Sequence, residues 1–168
     1  MKKLAISLIL LTAVLFVAGC TEKTQENSTN SHAIQGKSAV VEVTQLEQIN
    51  TTLQKGPVFL KVGAEWCGEC RDMKPILDKL AAEYEGRATV MSVDIDRSPQ
   101  IAPNFGVGSI PDSFVIVGIE NGEYIYMQDN GNVSKDRFKA RVLGLRDKEV
   151  FENVLNLAIL HEEQEKSR

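Results

Sequence analysis

The residues Pro57-Val58-Phe59-Leu60-Lys61-Val62-Gly63 run directly into Ala64-Glu65-Trp66-Cys67-Gly68-Glu69-Cys70, and this junction organises the rest of the chain. The first run is apolar and β-branched, as a buried strand should be. Beyond the junction Met73, Ile76, Leu77, Leu80, Ala81 and Tyr84 recur at the three- and four-residue spacing of one helix face. That helix is predicted to run to about Glu85, with Gly86 as its stop and a bend at Pro75, which lacks a backbone donor. Two thiols therefore sit where a strand turns into a helix, at the helix N-terminus.

That position favours a thiolate at Cys67, because a first helical turn carries unpaired N–H groups and a partial positive charge. The thiolate is the nucleophile of disulfide exchange. Cys70 lies one turn later on the same face, so it can close on Cys67 and release a mixed disulfide. Gly68 lets a substrate backbone come close to the sulfurs, and Trp66 offers a flat apolar surface beside them. Zinc needs four ligands, and the other candidates, Cys20, His32 and His161, lie near the chain ends, so no metal is expected. A static bridge would close a loop too small to constrain the unfolded chain much. Redox exchange is the reading that the strand-and-helix context supports.

The 168 residues, 43% hydrophobic, allow one domain with a real core. Lys2 and Lys3 precede an almost unbroken apolar run from Leu4 to Ala18, which reads as a signal peptide over residues 1–19, too short for a comfortable permanent span. Val17-Ala18-Gly19-Cys20 resembles the lipobox of bacterial lipoproteins, which implies a lipidated Cys20 as the first mature residue. The alternative is ordinary secretory cleavage that leaves a free thiol. Three cysteines are odd, and lipidating one leaves a single working pair. Residues 20–37 are polar and aperiodic, the composition of a disordered tether with a reach of roughly 20 to 25 Å. The expected location is extracytoplasmic, lipid-anchored to a bacterial cell membrane. His32 and His161 read as exposed bystanders. Loss of Lys2 and Lys3 leaves the basic side chains further outnumbered by the 23 acidic ones, with no basic cluster, which argues against nucleic acid.

Residues 38–168 form the expected folded domain. Ser38 to Val43 reads as a first strand, and Thr44-Gln45-Leu46-Glu47 has capping-box spacing for a short helix to about Lys55. Ala88 to Asp94 reads as a strand joined to the central one by a right-handed parallel crossover. Ser98 to Phe105 suits a short irregular helix broken by Pro103. Asp112 to Ile119 and Glu123 to Gln128 read as a hairpin turning at Asn121-Gly122, so the sheet is mixed. From Ser134, a candidate N-cap, the pattern turns helical: Phe138, Val142 and Leu145, then Val150, Phe151, Val154, Leu155, Ala158 and Ile159, predict one long kinked helix or two shorter ones.

Val58 to about Asn132 closely resembles thioredoxin. The likeness rests on Ala64 through Cys70, on Lys74-Pro75-Ile76-Leu77-Asp78 through Ala82-Glu83-Tyr84, on Val93-Asp94-Ile95-Asp96, and on Phe105-Gly106-Val107-Gly108-Ser109-Ile110-Pro111. The resemblance implies an α/β thioredoxin-like fold, a central mixed sheet with helices on both faces. It also implies Cys67 as attacking thiol, Cys70 as resolving thiol and a cis peptide between Ile110 and Pro111 facing the sulfurs. In the family the backbone before that proline pairs with the bound substrate chain, a role that falls here to Ile110.

Three departures stand out. The family's Gly-Pro between the cysteines is Gly68-Glu69, and the added carboxylate should oppose thiolate formation at Cys67. The family's buried proton-relaying aspartate is replaced by Lys61, and its lysine partner by Ser92. Either Lys61 tunes the Cys70 thiolate or its amine snorkels to solvent. Lastly, Asp112 stands after the proline where the family often has threonine, and Arg137 to Lys148 exceeds what the family's final helix requires; both bear on partner choice.

The expected function is thus a membrane-anchored, monomeric thiol–disulfide oxidoreductase acting on protein disulfides as a reductase, with a disulfide oxidase or isomerase as the alternative within the same chemistry. No dissociable cofactor is needed. A reductase outside the cytoplasm needs electrons from a partner such as a membrane thiol carrier. A non-catalytic binding module that uses the groove beside Trp66 and Ile110 is the alternative from another class. Copper delivery would need a histidine near the thiols, and neither His32 nor His161 is placed for it.

Overall fold

A computed structural model describes residues 39–168. The signal peptide, Cys20 and its lipidation, the tether and His32 lie outside the described residues. Seven strands form one mixed sheet: β1 (Val41–Glu42), β2 (Val58–Gly63), β3 (Thr89–Asp94), β4 (Asp112–Glu120), β5 (Glu123–Met127), β6 (Val133–Ser134) and β7 (Val142–Leu143). The helices are α1 (Leu46–Leu53), α2 (Gly68–Asp72), α3 (Lys74–Glu83) and α4 (Lys148–Lys166).

The sheet order is β1-β3-β2-β4-β5-β6, with β7 joining β4 alongside its first residues. β2 is buried throughout, parallel to β3 and antiparallel to β4. A strand covered on both faces has no solvent side, which is why its sequence is apolar on both faces except at Lys61. Alternate residues feed two cores. Val58, Leu60 and Val62 pack with Ile49 of α1 and with Ile101 and Phe105, whereas Phe59 packs with Leu77 and Leu80 of α3 and with Phe151, Val154 and Leu155 of α4. The rings of Phe59 and Phe151 meet edge to face, 5.4 Å between centroids. Lys148 at the start of α4 bridges Glu83 (2.6 Å) and Glu152 (2.7 Å), tying α4 to α3.

The hairpin forms as the Asn-Gly signal predicts, with positive φ at Asn121 (54°) and Gly122 (81°). Other expectations are corrected. The first strand keeps only two residues, and α1 begins one residue later than capping by Thr44 would place it. The side chain that reaches back belongs to Gln48, whose Oε1 accepts from the N–H groups of Thr44 (2.7 Å) and Gln45 (2.9 Å). The helix bent at Pro75 is two helices, α2 and α3, with Met73 ending one and opening the other. Pro75 cannot donate to the preceding turn, and it sits in the first turn of α3 where no donor is required.

The largest correction concerns residues 134–147. Ser134 is in a strand, Arg137–Lys139 is a single 3₁₀ turn capped by Asp136, and Val142–Leu143 is β7. Phe138, Val142 and Leu145 therefore share no helix face, and Phe138 is 58% exposed. Gly144 adopts φ 74°, which stops a helix there, and its N–H bonds the Pro111 carbonyl at 2.9 Å.

Candidate active site

β2 delivers the chain to the sheet end, and residues 64–67 turn it into α2. Cys67 caps that helix: its Sγ accepts from the Cys70 N–H at 3.3 Å, and the two Cα atoms are 5.2 Å apart. With five residues α2 has little dipole of its own. The Cys70 N–H itself is what stabilises negative charge on the Cys67 sulfur. The sulfurs form a close pair of unequal exposure, Cys67 half-buried and Cys70 buried. Only the Cys67 sulfur is therefore open to a molecule arriving from solvent.

The Ile110–Pro111 peptide is cis, and the Ile110 carbonyl oxygen lies 3.9 Å from the Cys67 Sγ. Trp66 is 65% exposed beside them. A shallow groove of about 310 Å³ runs between Trp66, Ile95, Ala102, Pro103, Val107 and Ile110. Trp66 and Ile110 thus flank the groove that leads to Cys67. A Cβ on Gly68 would come no closer than 3.9 Å to a neighbouring side chain, Arg71, so no packing within the protein requires glycine there.

Glu69 reaches the loop after β7. Its Oε2 accepts the Leu145 N–H at 3.1 Å, so the carboxylate that replaces proline holds that loop.

Lys61 does not snorkel freely: it is 5% exposed and sits on the α3 side of the sheet, beside Ser92 of β3 in register. Gly63 shows what lies next to it. A Cβ at Gly63 would fall 2.5 Å from Lys61 Nζ and 2.8 Å from Cys70 Sγ, so amine and sulfur border the same small space. Sequence reading passed over Gly63, although a glycine closing an otherwise apolar strand is the signal for close approach by another group. Gly63→Ala is expected to cost about 1–3 kcal/mol by overpacking, read as a lower urea midpoint, since the short Cys70 side chain cannot swing clear.

Burial holds the Lys61 pKa below its ordinary 10.5, and Lys74 lowers it further, while Asp94, Glu42 and Glu65 pull it back up. Between the folded value and 10.5 the unfolded chain binds more protons, so stability rises with pH across that window. Lys61→Met is therefore expected to raise the thermal midpoint at neutral pH, by an amount that shrinks as pH approaches 10.5. Melts from pH 7 to 10.5 check this.

Just past the cis proline, Asp112 is fully buried and paired with buried Arg137, Nη1 to Oδ2 2.8 Å. The second guanidinium nitrogen donates to the Gly106 carbonyl at 3.2 Å, and the guanidinium lies over the Phe114 and Phe138 rings. The two departures after the proline and after Ser134 are thus one feature: the added segment supplies the cation that Asp112 needs. Nothing in the sequence pairs these residues, which lie 25 positions apart.

The thioredoxin family model matches residues 39–143. The chain is 36% identical over 98 residues to the chloroplastic M-type thioredoxin of Zea mays, covering 56% of this chain and 59% of that protein. It is 37% identical over 73 residues to the thioredoxin of Staphylococcus aureus, covering 44% and 69%. The chain therefore spans less than two thirds of the maize relative's length. A mutant thioredoxin from Halobacterium salinarum NRC-1 superposes with a TM-score of 0.53 at 21% identity, over 71% of this chain and 90% of that one, which establishes the shared fold. With its family match extending from ahead of β1 through β7 and its dithiol at the head of α2, this chain belongs to the thioredoxin family.

Proposed function

We propose that the protein is a membrane-anchored, extracytoplasmic thiol–disulfide oxidoreductase that reduces protein disulfides. The observation that carries this is the half-buried Cys67 Sγ, held by the Cys70 N–H and facing the Ile110 carbonyl, with Cys70 buried behind it. The Cys67 thiolate attacks one sulfur of the substrate disulfide; a mixed disulfide forms and the other substrate sulfur leaves as a thiolate. Cys70, as thiolate, then attacks Cys67 Sγ, which closes the Cys67–Cys70 bond and releases the second substrate sulfur. Two electrons pass to the substrate, and a thiol donor must return them; for an extracytoplasmic domain a membrane thiol carrier suits. Substrate backbone pairs at Ile110 and packs on Trp66. The signal sequence and Cys20 support the anchored location, with a monomeric domain on its tether.

Two experiments test the reading. Cys70→Ser should trap substrate proteins as mixed disulfides that dithiothreitol releases, and absence of such adducts counts against disulfide exchange. Labelled fatty acid should enter the protein and be lost on Cys20→Ala; no incorporation would remove the anchor while leaving the redox reading intact.

A further inference from the structure

Residues 135–148 hold six basic side chains against two acidic ones, a formal charge of +4 in a chain whose net charge is −4. They form no basic run in the sequence, and the fold divides them into two groups. Lys135 pairs with Glu120 and Glu123, Arg137 with Asp112, and Lys148 with Glu83 and Glu152. Lys139, Arg141 and Arg146 form no salt bridge among the described residues, and all three line one pocket of about 560 Å³. Asp129 and Glu149 line it as well without pairing to any of the three, and Val142 and Val150 give it an apolar wall.

This pocket adjoins the redox site. The loop that lines it at Leu143 and Arg146 bonds the Pro111 carbonyl through the Gly144 N–H at 2.9 Å. The same loop bonds Glu69, between the two cysteines, through the Leu145 N–H at 3.1 Å. Phe138, 58% exposed, meets the other end of the cis-proline loop, since a Cβ on Gly106 would lie 3.3 Å from its Cζ. The next residue, Val107, lines the Trp66 groove. Arg141 lies 5.1 Å from the centre of the Phe138 ring, so one cation faces both the aromatic side chain and the pocket.

We propose that this pocket receives an acidic segment of the protein being reduced, whose carboxylates meet Lys139, Arg141 and Arg146 while its disulfide meets Cys67. The proposal rests on the dithiol exchange described above and names its substrate class, a protein with an acidic stretch beside the disulfide. A guanidinium offers a fork of donors that matches a carboxylate, and two of the three cations are arginines. Cations that hold no carboxylate of their own give up only water to accept one. Taking the +4 of residues 135–148 out of the net −4 leaves −8 on the rest of the chain. Overall charge therefore ranks a basic substrate first, whereas the pocket ranks an acidic one first, and the two rankings are opposite.

The test uses the full chain with Cys20→Ala throughout, so that only the pair reacts. The probes are synthetic peptides with one cysteine, flanked on each side by glutamates, serines or lysines and joined as a mixed disulfide to thionitrobenzoate. Release of thionitrobenzoate by the reduced protein gives a second-order rate, which is divided by the rate of the same peptide with dithiothreitol to remove its intrinsic reactivity. The glutamate peptide is expected to exceed the serine peptide by about tenfold at low salt, on the scale of a few exposed ion pairs, with the lysine peptide slowest. The preference should fade in about 0.5 M sodium chloride, where screening is short-ranged. Lys139→Gln, Arg141→Gln and Arg146→Gln together should bring the glutamate-to-serine ratio to about 1 or below, and exposed Lys139→Gln alone should lower it about twofold. Glu149→Gln, which removes a carboxylate from the pocket, should raise the ratio, a change that mere damage to the fold would not produce. A lysine peptide as fast as the glutamate one, or a ratio that none of these substitutions moves, overturns the proposal. Failure of the dithiol reading itself would look different, with no release above background from any of the peptides.

Discussion

Cys67→Ser should reduce insulin-disulfide turnover to the background set by the thiol donor alone, a loss of more than about 10³-fold on the scale seen when an enzymatic nucleophile is removed. The reason lies in exposure: Cys70 is buried, so no second sulfur can replace the half-buried one in the first attack. The fold should be unaffected, because serine fits the same cap and its oxygen accepts the Cys70 N–H as well as sulfur does. Turnover by Cys67→Ser comparable to that of the unsubstituted protein, measured as insulin precipitation with dithiothreitol as donor, would defeat the assignment of Cys67. Turnover absent in both proteins would leave only a binding module on the same groove.

Arg137→Met carries the largest expected cost in stability, about 3–5 kcal/mol, because it leaves the Asp112 carboxylate buried without its partner. Chemical denaturation should show it as a lower midpoint at unchanged slope. The pH dependence has a definite sign. Burial raises the Asp112 pKa above its ordinary 3.8, with Arg137 opposing that rise. Removing Arg137 raises it further, so the folded state then binds a proton that the unfolded state has released. The variant should regain stability as pH falls and lose it as pH rises through the folded value. Asp112→Leu combined with Arg137→Met should recover most of the loss, since a well-packed apolar pair often replaces a buried ion pair without penalty. Equal stability of Arg137→Met and the parent at pH 7 would show that the pair contributes nothing. Because Arg137 also holds the Gly106 carbonyl, the single variant should loosen the segment leading to Ile110 and raise the KM for protein disulfides.

The chain is thereby more than a dithiol on a family scaffold. Its extra segment is built against the cis-proline loop, through Arg137 to Asp112 and Gly106, and through the Gly144 N–H to the Pro111 carbonyl. Glu69 adds a third link by accepting the Leu145 N–H. Glu69 thereby clamps the added loop.

How much of this was legible follows from how far apart the interacting residues lie. The run from Pro57 to Gly63 and the Met73-to-Tyr84 face state their burial in their own periodicity, so the central strand and the redox turn could be located without coordinates. Asn121-Gly122 specifies its turn by backbone conformation alone. Between Ser134 and Leu145 the same kind of reading failed. Phe138, Val142 and Leu145 are spaced like a helix face, yet strand pairing with β4 and the positive φ of Gly144 prevail. Local spacing cannot anticipate which strand offers a free hydrogen-bonding edge, and that edge exists only once the sheet is assembled.

By itself the sequence determined the family, the order of the central elements and the position of the paired cysteines at the head of a helix, because each is encoded within a short stretch whose chemistry is local. Only the tertiary structure decided that Lys61 and Cys70 meet at Gly63, that Glu69 accepts the Leu145 N–H, and that Arg137 neutralises Asp112. Those three outcomes depend on which side chains meet in a desolvated interior, where the absence of water makes a partner obligatory and distance along the chain is irrelevant.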